Sequence, residues 1–362
     1  MSAVLDHPIF DTDLHHQYPS LDSLRPYLPE GDIDPYYTHG SGLHNVNGAY
    51  RLDAVPPGGG TPGSDPQFVV EHHLDRHGID FAILNPAGFL GLGGLPDPDL
   101  AADLAQATND WTLHEWLPVD DRFLGAILVT LRDPQRAADE IRRLGGHPRM
   151  VQVTVTSAPC LLGNRSLHPV YAACQEFGLP FNIHVGGAET GVNSGSYSVG
   201  APSTMMEYHI GMCVPAIQHL ISWITEGVPV RFPDVPLVLN EFGVAWLPWV
   251  MWRLDMEYRA AKDAPWLTKA PSEYIAESVR FTTQPLEEPR RREDLVTLLE
   301  LIDGDDLLLY SSDYPHWDAD DPDSAGLRVF PDNWRRKIFW ENARALYRLD
   351  QRVGPVAQWA SA

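Results

Sequence analysis

Cysteine is scarce in this chain of 362 residues, which contains only Cys160, Cys174 and Cys213. The number is odd and no Cys-x-x-Cys pair occurs, so the sequence indicates neither a disulfide framework nor a structural zinc knuckle. An uninterrupted apolar run of about 18 residues is also missing, and we expect no membrane span. The N-terminal residues lack the basic and apolar regions of a signal peptide. These absences favour a soluble cytoplasmic protein.

Positive charge is scarce as well. The chain has 26 Lys and Arg against 49 Asp and Glu, a net charge of −23. Such a protein should repel nucleic acids and anionic membrane surfaces, and we expect neither as a partner. No Gly-rich phosphate loop and no G-x-S-x-G elbow occurs, which argues against a nucleotide-binding sheet and a serine hydrolase.

The sequence shows a regular alternation of strand and helix patterns. Its hydrophobic content of 44% is enough for a large core. Short apolar runs such as IDFAILNP, FLGAILVTL and MVQVTVT alternate with helical segments, and we count eight such units. Eight strands joined by helices predict an α/β fold, a (β/α)8 TIM barrel, in one domain over residues 1–362. Residues 39–66, rich in Gly and Pro, predict an irregular insertion after the first strand, and 186–202 a possible lid loop.

Charged side chains follow several of these strands. In a parallel barrel the carboxyl ends of the strands form the active-site face, so these side chains should converge there. Each has an ordinary alternative when taken alone, such as a buried core histidine or a turn aspartate, but together they predict a metal site. The residues are Asp13, His15, His184, Glu241, Asp313 and His316. Asp13 and His15, two residues apart on a strand, should face the same side, and His16 the other.

The strand-end motifs DTDLH, NIH and SSDYPHWD, with the closing IFWENARALYRL, resemble the amidohydrolase superfamily, in particular its branch with aminocarboxymuconate-semialdehyde decarboxylase. The resemblance implies a metal-dependent barrel. On its pattern His15 matches the second histidine of the strand-one HxH motif, His184 the strand-five histidine and Asp313 the strand-eight aspartate. Asp13 replaces the first histidine, Glu241 replaces the strand-six histidine, and strand four has no lysine that could be carbamylated.

These departures, with EFGVAWLPW and DYPHWDADDP, are similar to a branch of amidohydrolase-like barrels that are nonheme diiron monooxygenases. One of them hydroxylates a coenzyme A-linked diterpenoid in platensimycin and platencin biosynthesis, a secondary metabolic pathway. That resemblance implies an O2-dependent hydroxylase with two Fe ions, a large apolar substrate and an electron donor. The alternative is a mononuclear Zn- or Mn-dependent hydrolase or decarboxylase, in which Glu241 would be the base. Oxygen-rich donor sets suit iron and manganese as well as zinc.

The remaining functional predictions concern single residues and assembly. Glu241 and Asp313 are predicted to be catalytic as well as ligands, and Trp246 is predicted to line a substrate pocket or, alternatively, to pack its helix against the barrel. His209 could reach the site, although a core or surface role is the simpler interpretation. His72 and His73 should be solvated. The sequence carries no interface signature, and a homodimer is expected only because relatives often form one.

Overall fold

A computed structural model of the chain describes residues 7–28, 50–89, 91–95, 97–156, 158, 160–186, 204–261, 263–324 and 326–353. Residues 39–49 of the predicted insertion and 187–202 of the predicted lid lie outside the described residues. Within the described ranges, every helix is too short or too polar to cross a bilayer.

Eight parallel strands form one sheet in which each strand pairs with the next along the chain. They are β1 (Phe10–His16), β2 (Phe81–Pro86), β3 (Phe123–Leu128), β4 (Met150–Val155), β5 (Phe181–His184), β6 (Leu237–Asn240), β7 (Val279–Thr282) and β8 (Leu308–Leu309). Backbone hydrogen bonds from Thr12 to Tyr310 (2.9 Å) and from His15 to Tyr314 (2.7 Å) join the last strand to the first. The predicted TIM barrel is confirmed.

Helices connect the strands and surround them. The α-helices span Pro66–Val69, Pro98–Trp111, Pro134–Leu144, His168–Phe177, Met205–Gly211, Cys213–Thr225, Val228–Arg231, Leu247–Ala261, Pro271–Ser278, Glu293–Glu300, Asp332–Arg336, Asn342–Leu346 and Leu349–Arg352. Wider π turns follow at Val70–Asp75, Thr112–Trp116 and Lys337–Glu341. Short 3-10 helices occupy Leu21–Tyr27, Leu52–Ala54, Ala87–Phe89, Leu92–Gly94, Arg165–Leu167, Gly304–Asp306 and Leu327–Val329.

Asp-Pro pairs start three of these helices. In each pair the aspartate lies before the first turn and the proline is the first helical residue, where no N–H is needed. Asp97 accepts from the backbone N–H groups of Asp99 and Leu100 at 3.0 and 3.2 Å. Asp65 and Asp133 cap their helices in the same way. The sequence thus specifies where the connecting helices begin.

The barrel interior changes character along its axis. Phe10 and Phe81, at the amino ends of β1 and β2, pack against Trp340 and Tyr347 from the C-terminal helices. Closer to the carboxyl ends the buried residues are polar; they include Asp13, Asn85, Gln152, Asn182, His184 and Asn240. One end of the barrel is therefore a closed apolar core, and the polar groups accumulate towards the other end.

Candidate metal centre

The carboxyl end of β1 supplies the first two side chains of the cluster. Asp13 and His15 are both fully buried, and Asp13 Oδ1 lies 3.6 Å from His15 Nε2. A register shift between Asp11 and Leu14 interrupts the regular pairing with β2 at Asp13. His16 turns to the other side, where it stacks on Trp111 at 5.2 Å. The alternation of a strand therefore separates the two adjacent histidines, as the sequence predicts.

His184 and Glu241, from β5 and the end of β6, face Asp13. His184 Nδ1 donates to the Val185 carbonyl at 2.6 Å, which leaves the Nε2 lone pair directed into the cluster. This Nε2 lies 3.3 Å from Asp13 Oδ2 and 3.4 Å from Glu241 Oε2. The Glu241 backbone is left-handed, with φ 69°, and its N–H donates to Thr282 Oγ1 at 2.9 Å. Such a conformation is uncommon and costly for a residue with a side chain, and it persists where the surrounding structure holds it in place.

Asp313 and His316 complete the cluster from the segment after β8. Asp313 Oδ1 lies 3.0 Å from His15 Nε2 and 2.6 Å from His316 Nδ1. Asp313 also has a left-handed backbone, with φ 57°, and its N–H donates to the Asp13 carbonyl at 3.0 Å. Glu241 and Asp313, the cluster's two left-handed residues, are thus held by hydrogen bonds to neighbouring segments of the barrel.

Two overlapping sets of these atoms are close enough to hold a cation. One set is Asp13, His15, His184 and Glu241, and the other is His15, Asp313 and His316. Several buried atoms in the cluster make no hydrogen bond: Asp13 Oδ2 and both His15 ring nitrogens, together with His184 Nε2. Unsatisfied buried polar atoms are expensive, so their convergence fits a metal ion that would coordinate them.

Burial and mutual charge shift the pKa values of these groups. Burial opposes ionisation of Asp13, but the neighbouring His15 and His184 outweigh it and hold the Asp13 pKa well below its usual range. Burial raises the pKa of Asp313 to about 7, although His316 opposes this. Burial lowers the pKa of His15 to about 4. Of Asp13 and Asp313, Asp13 is therefore the carboxylate that stays ionised more easily.

The structure brings all six predicted ligands into one cluster, while their role as ligands stays a prediction. The contacts of Trp246 are with residues outside the cluster. Its indole N–H donates to the Phe242 carbonyl at 3.0 Å, and its ring packs edge-on against Phe281 at 5.7 Å. His209 approaches Asp318 at 4.0 Å and belongs to neither set of candidate ligands.

Sequence reasoning missed residues that support the cluster. Asn85 Nδ2 donates to Asp13 Oδ1 at 2.8 Å, and Tyr50 stacks on the His316 ring at 5.6 Å. Asn85 lies at the carboxyl end of β2, so the strand-end argument applied above could have found it. The expectation that His73 is solvated is wrong: it is 1% exposed and lies 3.0 Å from Asp11, because the π turn Val70–Asp75 directs this residue towards β1.

A family model described as amidohydrolase matches residues 12–349, which include every residue of the cluster. The chain belongs to the amidohydrolase family. The superfamily resemblance seen in the sequence is thereby confirmed.

Curated relatives of this amidohydrolase are decarboxylases. The gamma-resorcylate decarboxylase of Polaromonas sp. is 24% identical over 77% of this chain and 86% of its own length. That of Rhodococcus jostii is 25% identical over the same shares. Among solved structures, 5-carboxyvanillate decarboxylase from Novosphingobium aromaticivorans, complexed with manganese and 4-hydroxy-3-methoxy-5-nitrobenzoic acid, has a TM-score of 0.68. It is 20% identical and covers 95% of this chain and 97% of its own.

These relatives overturn the first functional prediction. The prediction of an O2-dependent hydroxylase is wrong, because the curated relatives that align with three quarters of the chain are decarboxylases. Nothing in the comparisons supports the resemblance to the platensimycin-pathway monooxygenase, or two Fe ions with O2. The prediction rested on Asp13 and Glu241 replacing histidines, together with the segments EFGVAWLPW and DYPHWDADDP. Oxygen donors of this kind suit manganese as well as iron. The ligand types alone could not distinguish the two chemistries.

Proposed function

We propose that this chain is a metal-dependent decarboxylase that removes a carboxyl group, as CO2, from a small hydroxylated aromatic acid, with one manganese or zinc ion. The observation that carries the proposal is the alignment of curated gamma-resorcylate decarboxylases with 77% of the chain. The family match spans the whole ligand cluster. The substrate class is taken from these relatives and from the 5-carboxyvanillate decarboxylase fold.

Asp13, His15 and His184 would hold the ion, since their buried atoms lack other partners. Glu241, 3.4 Å from His184, borders the same space and would complete the ligand set. A divalent cation bound there would supply a Lewis acid for the carboxylate and an adjacent phenolic oxygen of the substrate.

Decarboxylation of such an acid needs a proton at the ring carbon that carries the carboxylate. As the proton adds, the bond to the carboxylate carbon breaks, its electrons return to the ring, and CO2 leaves. We assign proton donation to Asp313. Its carboxyl group borders the cluster, and the 2.6 Å contact with His316 Nδ1 gives a route by which a proton can be returned after each turnover.

The test uses the purified chain loaded with manganese and incubated with 2,6-dihydroxybenzoate (gamma-resorcylate), 5-carboxyvanillate or unsubstituted benzoate. We expect CO2 and the matching phenol from a hydroxylated acid and none from benzoate. Asp313→Asn should abolish this turnover, whereas the surface variant Asp323→Asn, which affects only an exposed pair with Arg328, should retain it. Manganese-loaded protein that releases no CO2 from either hydroxylated acid would overturn the proposal.

A further inference from the structure

A chain of buried hydrogen bonds runs from the closed end of the barrel to Asp13. Tyr347 donates from its hydroxyl to Gln152 Oε1 at 3.0 Å. Gln152 Nε2 donates to Asn85 Oδ1 at 3.4 Å, and Asn85 Nδ2 donates to Asp13 Oδ1 at 2.8 Å. All four side chains are at most 2% exposed. The chain connects three strands and the C-terminal helical segment.

The donor directions in this chain are determined from both ends. Asp13 can only accept when it is ionised, so Asn85 must present its amide N–H2 to it and turn its carbonyl oxygen towards Gln152. Gln152 must then present its own N–H2, which leaves its carbonyl oxygen for a donor. Tyr347 is that donor: burial and the Asp13 charge raise its pKa, so the phenol keeps its proton. Every bond in the chain is therefore oriented towards the carboxylate.

The two oxygens of Asp13 are consequently unequal. Oδ1 is occupied by Asn85, while Oδ2 makes no hydrogen bond and lies 3.3 Å from His184 Nε2. We infer that the Tyr347–Gln152–Asn85 chain is a positioning device that reserves Oδ1 and presents Oδ2 alone to the metal ion, which makes Asp13 a monodentate ligand. The inference rests on the proposed metal centre but not on the identity of the substrate.

Partners that orient metal ligands in this way commonly contribute strongly to affinity. Loss of one costs about 10- to 100-fold in metal binding or activity. Asn85→Ala removes the direct contact and should weaken Mn²⁺ binding by about this factor, since Asp13 can then rotate. Tyr347→Phe changes only the remote end, should fold normally because its shape is preserved, and should weaken binding by a smaller factor.

Tyr171→Phe is a matched control. Tyr171 is also fully buried, and its hydroxyl makes one hydrogen bond, to the Leu162 carbonyl at 2.6 Å, away from the cluster. Each metal-free variant is titrated with Mn²⁺ against a competing chelator. The visible spectrum of the Co²⁺-substituted protein is recorded in parallel, because a change from monodentate to bidentate carboxylate alters the coordination number and the absorption.

We expect weaker Mn²⁺ binding and an altered Co²⁺ spectrum for Asn85→Ala, a smaller shift of both for Tyr347→Phe, and wild-type behaviour for Tyr171→Phe. Wild-type affinity and spectrum in Asn85→Ala would overturn the inference. If that variant fails to fold, equal behaviour of Tyr347→Phe and Tyr171→Phe would overturn it. A wild-type chain that binds no Mn²⁺ would overturn the metal centre itself, whereas failure to decarboxylate with Mn²⁺ bound affects only the proposed function.

Discussion

Ser312 Oγ donates a hydrogen bond of 2.5 Å to Asp11 Oδ2, and both side chains are fully buried where β8 meets β1. Asp11 Oδ1 also accepts from the backbone N–H groups of Ser312 and Asp13, at 2.9 and 3.1 Å. Each of these two residues lies close in sequence to a residue of the cluster: Asp13 follows Asp11 on β1, and Asp313 directly follows Ser312. Asp11 therefore helps to set the spacing between two acidic groups of the candidate metal centre and also helps to close the barrel.

Removal of the Ser312 hydroxyl should destabilise the fold. Ser312→Ala removes one of the two partners of Asp11 Oδ2, the other being His73 Nε2 at 3.0 Å. We expect a loss of about 1–3 kcal/mol in the free energy of unfolding, measured with urea. Ser272→Ala is the control, because Ser272 Oγ donates to Asp255 Oδ2 at 2.7 Å in a half-buried position where water can replace it. Equal losses of stability in the two variants would contradict the role of the Ser312–Asp11 hydrogen bond in closing the barrel.

A second prediction concerns metal retention. His184→Phe removes the nitrogen that faces both Asp13 and Glu241, so purified protein should carry much less metal than wild type while the barrel remains folded. Metal is counted by elemental analysis, and folding is checked by circular dichroism. His219→Leu, which removes a buried histidine that belongs to neither candidate ligand set, should retain wild-type metal. Full metal content in His184→Phe would rule out His184 as a ligand.

The barrel and the six cluster residues could be predicted from the sequence because both follow from local patterns. Apolar runs such as FLGAIL form strands buried on both faces, and the strand-end rule then places His184, Glu241 and Asp313 at one end of the barrel. Because the strands are parallel, their carboxyl ends meet at one end of the barrel, and residues that are far apart in sequence lie close together there. The same rule does not specify which metal binds or which reaction follows.

A third prediction concerns the turn after Glu241. Glu287 accepts from the Val244 N–H at 3.1 Å and from the Ala245 N–H at 3.0 Å, which fixes the segment that begins at Glu241. Glu287→Gln removes the charge and one acceptor oxygen, so we expect a lower kcat with the fold retained.

Steady-state kinetics on the manganese-loaded enzyme provide the measurement for Glu287→Gln. Glu273→Gln is the control: Glu273 also accepts from a backbone N–H, that of Ala270 at 3.0 Å, but this bond is exposed and caps the Pro271–Ser278 helix. The two variants should differ in kcat. A Glu287→Gln enzyme as active as Glu273→Gln would show that the turn needs no such support.

Tyr347 and Glu287 were beyond the sequence argument for a physical reason. Their partners are 195 and 42 to 43 positions away, and no periodicity links them. Their roles depend on side-chain directions inside the closed barrel, which only the packed structure provides. The burial of His73 against Asp11 was missed for the same reason.

A fourth prediction concerns acid stability. Burial lowers the pKa of His219 from 6.5 to about 4, so the folded protein keeps this ring neutral while the unfolded chain takes up a proton below pH 6.5. Stability should therefore fall as the pH decreases from 6.5 towards 4, by at most about 1.4 kcal/mol per pH unit from this group. His219→Leu should show a smaller fall in urea midpoint between pH 7 and pH 5. An unchanged fall would contradict the assignment.

The central claim is that this amidohydrolase decarboxylates an aromatic acid with one metal ion held by the strand-end cluster. The most direct measurement is a titration of metal-free protein with Mn²⁺, in which CO2 release from 2,6-dihydroxybenzoate or 5-carboxyvanillate is followed at each addition. We expect no release without metal and a rise that reaches its plateau at about one ion per chain, as for a single site. Full release from metal-free protein, or a plateau at about two ions per chain, would contradict it.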